Sequence, residues 1–134
     1  MGGIVVREIR FRGRRVDDGE WVYGDLIHYR PKTYKIMEQD FGLWDVLEGA
    51  DDVDPATVGQ LTGLRDKNGA EIYEGDIVYY HPEANVGKGL VEFLGGCFCV
   101  TGEDFLSCLD NFATAGIEVI GNKWEDSELL QGEL

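Results

Sequence analysis

Five side chains able to offer oxygen to a cation fall within one short stretch: Asp66, Asn68, Glu71, Glu74 and Asp76, with Gly69 among them. The chemistry this raises is calcium binding, in which a loop supplies carboxylate and carbonyl oxygens to a hard cation. An EF-hand loop needs oxygen ligands at its first, third, fifth and twelfth positions and glycine at its sixth. With Gly69 at the sixth, Leu64 falls at the first and Gly75 at the twelfth, and neither carries a carboxylate. The flanking residues read as strands, not helices. The stretch is better read as a hairpin corner at Asn68-Gly69, where an Asx side chain bonds its own backbone. Glu71, Glu74 and Asp76 then lie on the rim of the turn.

Thiols and imidazoles are the next candidates. Cys97 and Cys99 are two apart in a strand, so both point to one face, whereas a structural zinc knuckle has wider spacing. Cys108, His28 and His81 stand far from them in sequence. No metal site is expected, and the cysteines read as small buried hydrophobes. A nucleophilic cysteine such as Cys99 or Cys108 would need His81 beside it, and no nucleophile elbow or family-type cysteine signature is present. The 26 acidic residues make any single carboxylate pair uninformative as an acid–base couple. There is no Walker A loop and no G-x-G-x-x-G. No catalytic residue or cofactor is expected.

A basic arm opens the chain. "REIRFRGRR" interleaves Arg7, Arg10, Arg12, Arg14 and Arg15 with Phe11, a pattern able to contact phosphates or stack on bases. The field of the whole chain opposes that use, because the net charge is −14. Residues 1–36 hold eight Lys/Arg against five Asp/Glu, and the remainder holds four against twenty-one. The arm is therefore expected to pair with the acidic remainder of its own chain or of a second subunit. The acidic surface itself reads as a solubilising one.

These residues must be positioned by short strands separated by glycine-containing turns. Ile9 and Phe11 share a strand face. Asp18-Gly19 marks a hairpin, followed by a strand carrying Trp21, Tyr23, Leu26 and Ile27, and Gly24 within it signals a bulge or a close backbone approach. Residues 33–37 and 41–47 read as strands around a turn at Gln39-Asp40. "EGADDVDP" is a polar loop and the expected lobe boundary. Residues 58–64 read as a strand, "EGD" at residues 74–76 as a turn, and Gly95-Gly96 as the corner of another hairpin. Phe105, Leu106, Leu109 and Phe112 have helical spacing with Asp104 as cap, which predicts a short helix. A strand follows in "GIEVIGN", and "SELL" predicts one helical turn. The fold class is mainly antiparallel β. Residues 1–54 form an irregular β lobe, and residues 55–134 a small barrel with short helical segments.

The 134 residues suffice for a core without disulfides, and no apolar run approaches a membrane span. The odd count of three cysteines argues against a disulfide framework, and with no secretory leader read at the start a cytoplasmic protein is expected.

The segments "REIRFRGRRVDDGEWVYGDLI", "VGQLTGLRDKNGAEIYEGDIV" and "GLVEFLGGCFCV", with the later "IEVIGNKWEDSELL", resemble the YopX family. The resemblance covers most of the chain, and its most specific run is V-G-Q-x-T-G-L-x-D-x-N-G-x-E-I-Y-E-G-D-I-V. It implies a protein encoded by a bacteriophage, prophage or other mobile element, in a bacterial host. It implies a mostly β fold whose C-terminal part is a small SH3-like barrel. No catalytic or cofactor residue comes with it. The reading is a non-catalytic phage- or prophage-derived accessory module that works by protein–protein contact, as a homo-oligomer with a further protein partner unspecified. Arg10, Arg12, Arg14, Arg15, Trp21, Tyr23 and Trp44 are the candidate contact residues. For Trp21 and Tyr23 the competing reading is a place in the core. The alternative function is a nucleic-acid-related module, either an arginine-arm binder or an acidic DNA mimic.

Overall fold

The computed structural model describes residues 8–38, 49–80, 87–102, 106–109 and 116–130. The chain divides into two compact units, residues 1–61 and 62–134, so the first unit extends beyond the polar loop around Asp54. The fold is mainly antiparallel β, as its short β-branched and aromatic runs predict.

In the first unit, β1 (Phe11–Arg14) pairs with β2 (Trp21–Tyr29), and β2 with β3 (Thr33–Met37). A two-residue strand, β4 (Asp51–Asp52), adds to β3. On the other side β1 pairs with the start of β5 (Gly59–Arg65), giving the order β4-β3-β2-β1-β5. The β1–β2 corner uses Gly19 at φ 73°, and Asp18 Oδ1 accepts from the Glu20 N–H at 3.0 Å. A 3-10 turn at Pro55–Thr57 is capped by Asp54, whose Oδ1 accepts from the Ala56 N–H. Val22, Ile36 and Val53 form the core, with Phe11, Leu26, Tyr34 and Val58 against it. Strand alternation sends Val22, Gly24 and Leu26 to this side and Trp21, Tyr23 and Asp25 to the other. The close approach signalled by Gly24 is present: a Cβ there would lie 1.9 Å from the Met37 carbonyl oxygen. The strand expected over residues 41–47, the turn before it and Trp44 lie outside the described residues.

In the second unit, the later part of β5 pairs with β6 (Glu71–Tyr73) across the Asn68-Gly69 corner, where Gly69 takes φ 85°. A separate sheet contains β7 (Asp76–Tyr80), β8 (Gly87–Leu94), β9 (Cys97–Thr101), β10 (Leu106–Cys108) and β11 (Ile117–Asn122). Its order is β10-β9-β8-β7-β11. The β8–β9 hairpin turns at Gly95-Gly96 as expected, and residues Ser127–Leu130 form a 3-10 turn where "SELL" predicted one. Ile72, Val78, Val91, Val100, Leu109 and Ile117 make the core. Each is nearly inaccessible to solvent.

One expectation is overturned. Residues 106–108 are not helical: Leu106–Cys108 is strand β10, in register with Thr101 to Cys99 of β9. Phe105 and Phe112, which supplied half of the helical period, lie outside the described residues. A short apolar run fits either period, and pairing with the edge of β9 decided this one. As for the barrel, β10 and β11 end the hydrogen-bonded order, so the second sheet is an open ladder among the described residues.

Candidate functional site

The candidate contact residues of the first unit collect on one surface. Arg12 stands opposite Tyr23 and Arg14 opposite Trp21 in the β1–β2 register, on the face turned away from Val22 and Gly13. The guanidinium carbon of Arg12 lies 4.9 Å from the centroid of the Trp21 ring, and that of Arg14 lies 5.9 Å from it. These are cation–π distances, so two charges hold one ring in place. Arg14 also donates from Nε to the Gly19 carbonyl at 3.1 Å. Arg12 is buried, Trp21 partly so, and Tyr23 is 42% exposed. Tyr23 is thus exposed and Trp21 half-buried on the face opposite Val22.

The remaining arginines of the arm meet acids of their own unit. Arg10 pairs with Glu8. Arg15 lies within 4 Å of Asp17, Asp18 and Asp51, at 3.4, 3.5 and 3.7 Å. Asp51 most strongly, then Asp18 and Asp17, hold its guanidinium above the ordinary arginine range. An open depression borders Arg14 and Arg15, lined also by Val16, Asp54 and Pro55. Of the two partners weighed for the arm, acids of the same chain account for Arg10 and Arg15.

The oxygen-rich corner is occupied by its own backbone. Asp66 is 4% exposed. Its Oδ1 accepts from the N–H groups of Asn68 and Ala70 at 2.8 and 2.9 Å, and its Oδ2 accepts from that of Val119 at 2.9 Å. Burial by itself raises this carboxyl. The N–H groups of Val119, Ala70 and Asn68, helped by Lys67, outweigh it and leave it below the usual aspartate range. Glu71 pairs with Arg65 at 3.6 Å. Asp76 Oδ2 accepts from the Tyr73 N–H at 2.7 Å across the next turn. Asp66 fixes its turn, as the hairpin reading requires, whereas Asp76, expected on the rim, is buried.

The cysteines, in contrast, come together. The Sγ of Cys97 lies 3.5 Å from that of Cys99 and 3.3 Å from that of Cys108, and all three sulfurs lie within 4.8 Å of one another. Cys97 and Cys99 share a face of β9, and Cys108 stands directly opposite Cys99 on β10. Cys108, far from the other two in sequence, is brought beside them by the β9–β10 pairing, where a helix had been expected. Only with residues 106–108 in a strand does Cys108 reach this face. Cys99 is buried, while Cys97 and Cys108 are partly exposed, so only one of the three fits the reading as a small buried hydrophobe.

Among the described residues, no helix is long and apolar enough to cross a membrane. The chain is similar to a crystal structure of protein EF1440 from Enterococcus faecalis, at 26% identity and a TM-score of 0.56. The match covers 94% of this chain and all of that one. No curated protein matches the chain. The YopX protein family matches residues 10–131, nearly the whole length, and the chain belongs to that family.

Proposed function

We propose that the protein is a phage- or prophage-derived accessory module without catalytic activity, acting by protein–protein contact in the bacterial cytoplasm and associating with itself. The observation that carries this reading is the surface on which Arg12, Arg14, Trp21 and Tyr23 meet. Tyrosine, tryptophan and arginine are the side chains most enriched at interface hot spots. A ring already in cation–π contact with two guanidinium groups loses less conformational freedom on docking than a free one, which favours association. Membership of the YopX family supports the origin in a mobile element. Three cysteines present as thiols suit a reducing compartment. Nucleic acid is not among the partners in this reading. Arg10, Arg14 and Arg15 are engaged with groups of their own unit, and the net charge of −14 repels phosphate.

Size-exclusion chromatography with light scattering tests it. The wild type is expected to run at a multiple of the 15.0 kDa chain mass at micromolar concentration. Tyr23→Glu, which places a charge on the exposed ring position, is expected to shift the population to monomer while leaving the fold intact. A wild-type monomer overturns self-association, and an oligomer indifferent to Tyr23→Glu removes this face from the contact. Retention of DNA on a filter at low salt would revive the nucleic-acid reading.

A further inference from the structure

We propose that Cys97, Cys99 and Cys108 form a binding site for a soft d10 cation, Cu(I) or Zn(II), held by three thiolates. The site lies in the second unit and is independent of the contact surface on β1 and β2.

The argument starts from the sheet. Alternation along β9 sends Phe98 and Val100 to the core side, where Val100 packs with Val78 and Val91. It sends Cys97, Cys99 and Thr101 to the other side, so the thiols are not members of that core. A thiol used only as a small apolar residue is usually buried, yet Cys97 and Cys108 are partly exposed. Three sulfurs therefore converge, the Cys99 thiol buried and those of Cys97 and Cys108 open in part to solvent.

Their spacing suits a shared ion. Zinc–sulfur bonds of about 2.3 Å place the sulfurs of a tetrahedral centre about 3.8 Å apart. Two of the observed separations are 3.3 and 3.5 Å, so the ion enters after shifts of a few tenths of an ångström. The register fixes the triangle on two adjacent strands, which restricts rearrangement. Thiolate ligands select Cu(I) and Zn over hard cations. A set of three sulfurs suits three-coordinate Cu(I) directly, and Zn(II) would add a water in the open position. Leu94, opposite Cys97, and Leu106, two residues before Cys108, give the site an apolar rim. Glu92, opposite Cys99, brings a negative charge to the same face. On binding, each S–H that becomes a ligand releases its proton to solvent and forms a sulfur–metal bond, with no change in oxidation state.

The test is an anaerobic titration of the full chain, kept reduced, with Cu(I) against a Cu(I)-specific chelator and separately with Zn(II) against a zinc indicator. One equivalent per chain is expected to bind for at least one of the two ions, with sulfur-to-metal charge-transfer absorption when Co(II) replaces Zn(II). Cys97→Ser and Cys108→Ser are expected each to weaken binding by at least about 10–100-fold, the loss that even an outer-shell change produces. Both positions are partly exposed, and circular dichroism checks that the variants fold. Ions that bind the two variants as well as the wild type, or a wild type that competes with neither chelator, would overturn the site.

Discussion

Gly24→Ala is expected to remove most of the stability of the first unit, by about 3 kcal/mol or more. The added methyl would stand 1.9 Å from the Met37 carbonyl oxygen, 2.7 Å from its carbon and 3.0 Å from the Glu38 Cα. All three are backbone atoms, so no rotamer change relieves the clash. The β2–β3 ladder would have to open next to Asp25 and Met37, the pair in register beside it. Ile36, on the same strand, is fully buried, and opening the ladder would expose it. Gly69→Ala is the control. A Cβ there meets nothing within 4 Å, although the residue sits at φ +85°. Its cost is limited to the left-handed backbone, roughly 1–2 kcal/mol. Urea unfolding followed by tryptophan fluorescence measures both, and a Gly24→Ala midpoint no lower than that of Gly69→Ala contradicts the close-approach account.

The second large effect is expected at Asp66. Asp66→Ala leaves three backbone N–H groups without the carboxylate they donate to, at a cost of about 3–5 kcal/mol. Asp66→Asn should cost less, about 1–3 kcal/mol, because one amide oxygen can still take two donors while its NH2 faces the third. The pH dependence has a defined sign. The folded carboxyl is held below its unfolded value, so its contribution is fully present above the unfolded pKa. It disappears as pH falls through the lower folded value, from about pH 4 downward. The stability gap between wild type and Asp66→Asn should therefore stay constant near neutrality and narrow in acid. A gap that widens as the pH drops would show that the carboxylate is not what the three donors require.

The turns were the most legible part of the sequence. Asp18-Gly19, Asn68-Gly69 and Gly95-Gly96 each require a backbone that few residues adopt, and each sits at a hairpin corner with its glycine at positive φ. Gly24 was legible for a related reason, since a glycine inside a strand signals a close neighbour. Leu106–Cys108 was not, because its apolar residues fit two periods and its fate depends on β9. The same misreading hid the sulfur cluster, whose third member is adjacent only through strand pairing. The arginine–aromatic surface was half visible. The residue types were apparent, but their common face depends on the β1–β2 register. What the arm's arginines meet was open in the sequence, because charges far apart along the chain offer many partners of equal merit.

The Asp66 carboxylate also bears on the order of folding. Its bonds to Asn68 and Ala70 close within a few residues, on the microsecond scale of hairpin formation. Its bond to Val119 joins groups 53 residues apart and must wait for a far larger loop to close. One oxygen therefore reports a local closure and the other a long-range one. Kinetics of Asp66→Asn in which unfolding accelerates more than folding slows would place the distant bond after the rate-limiting step.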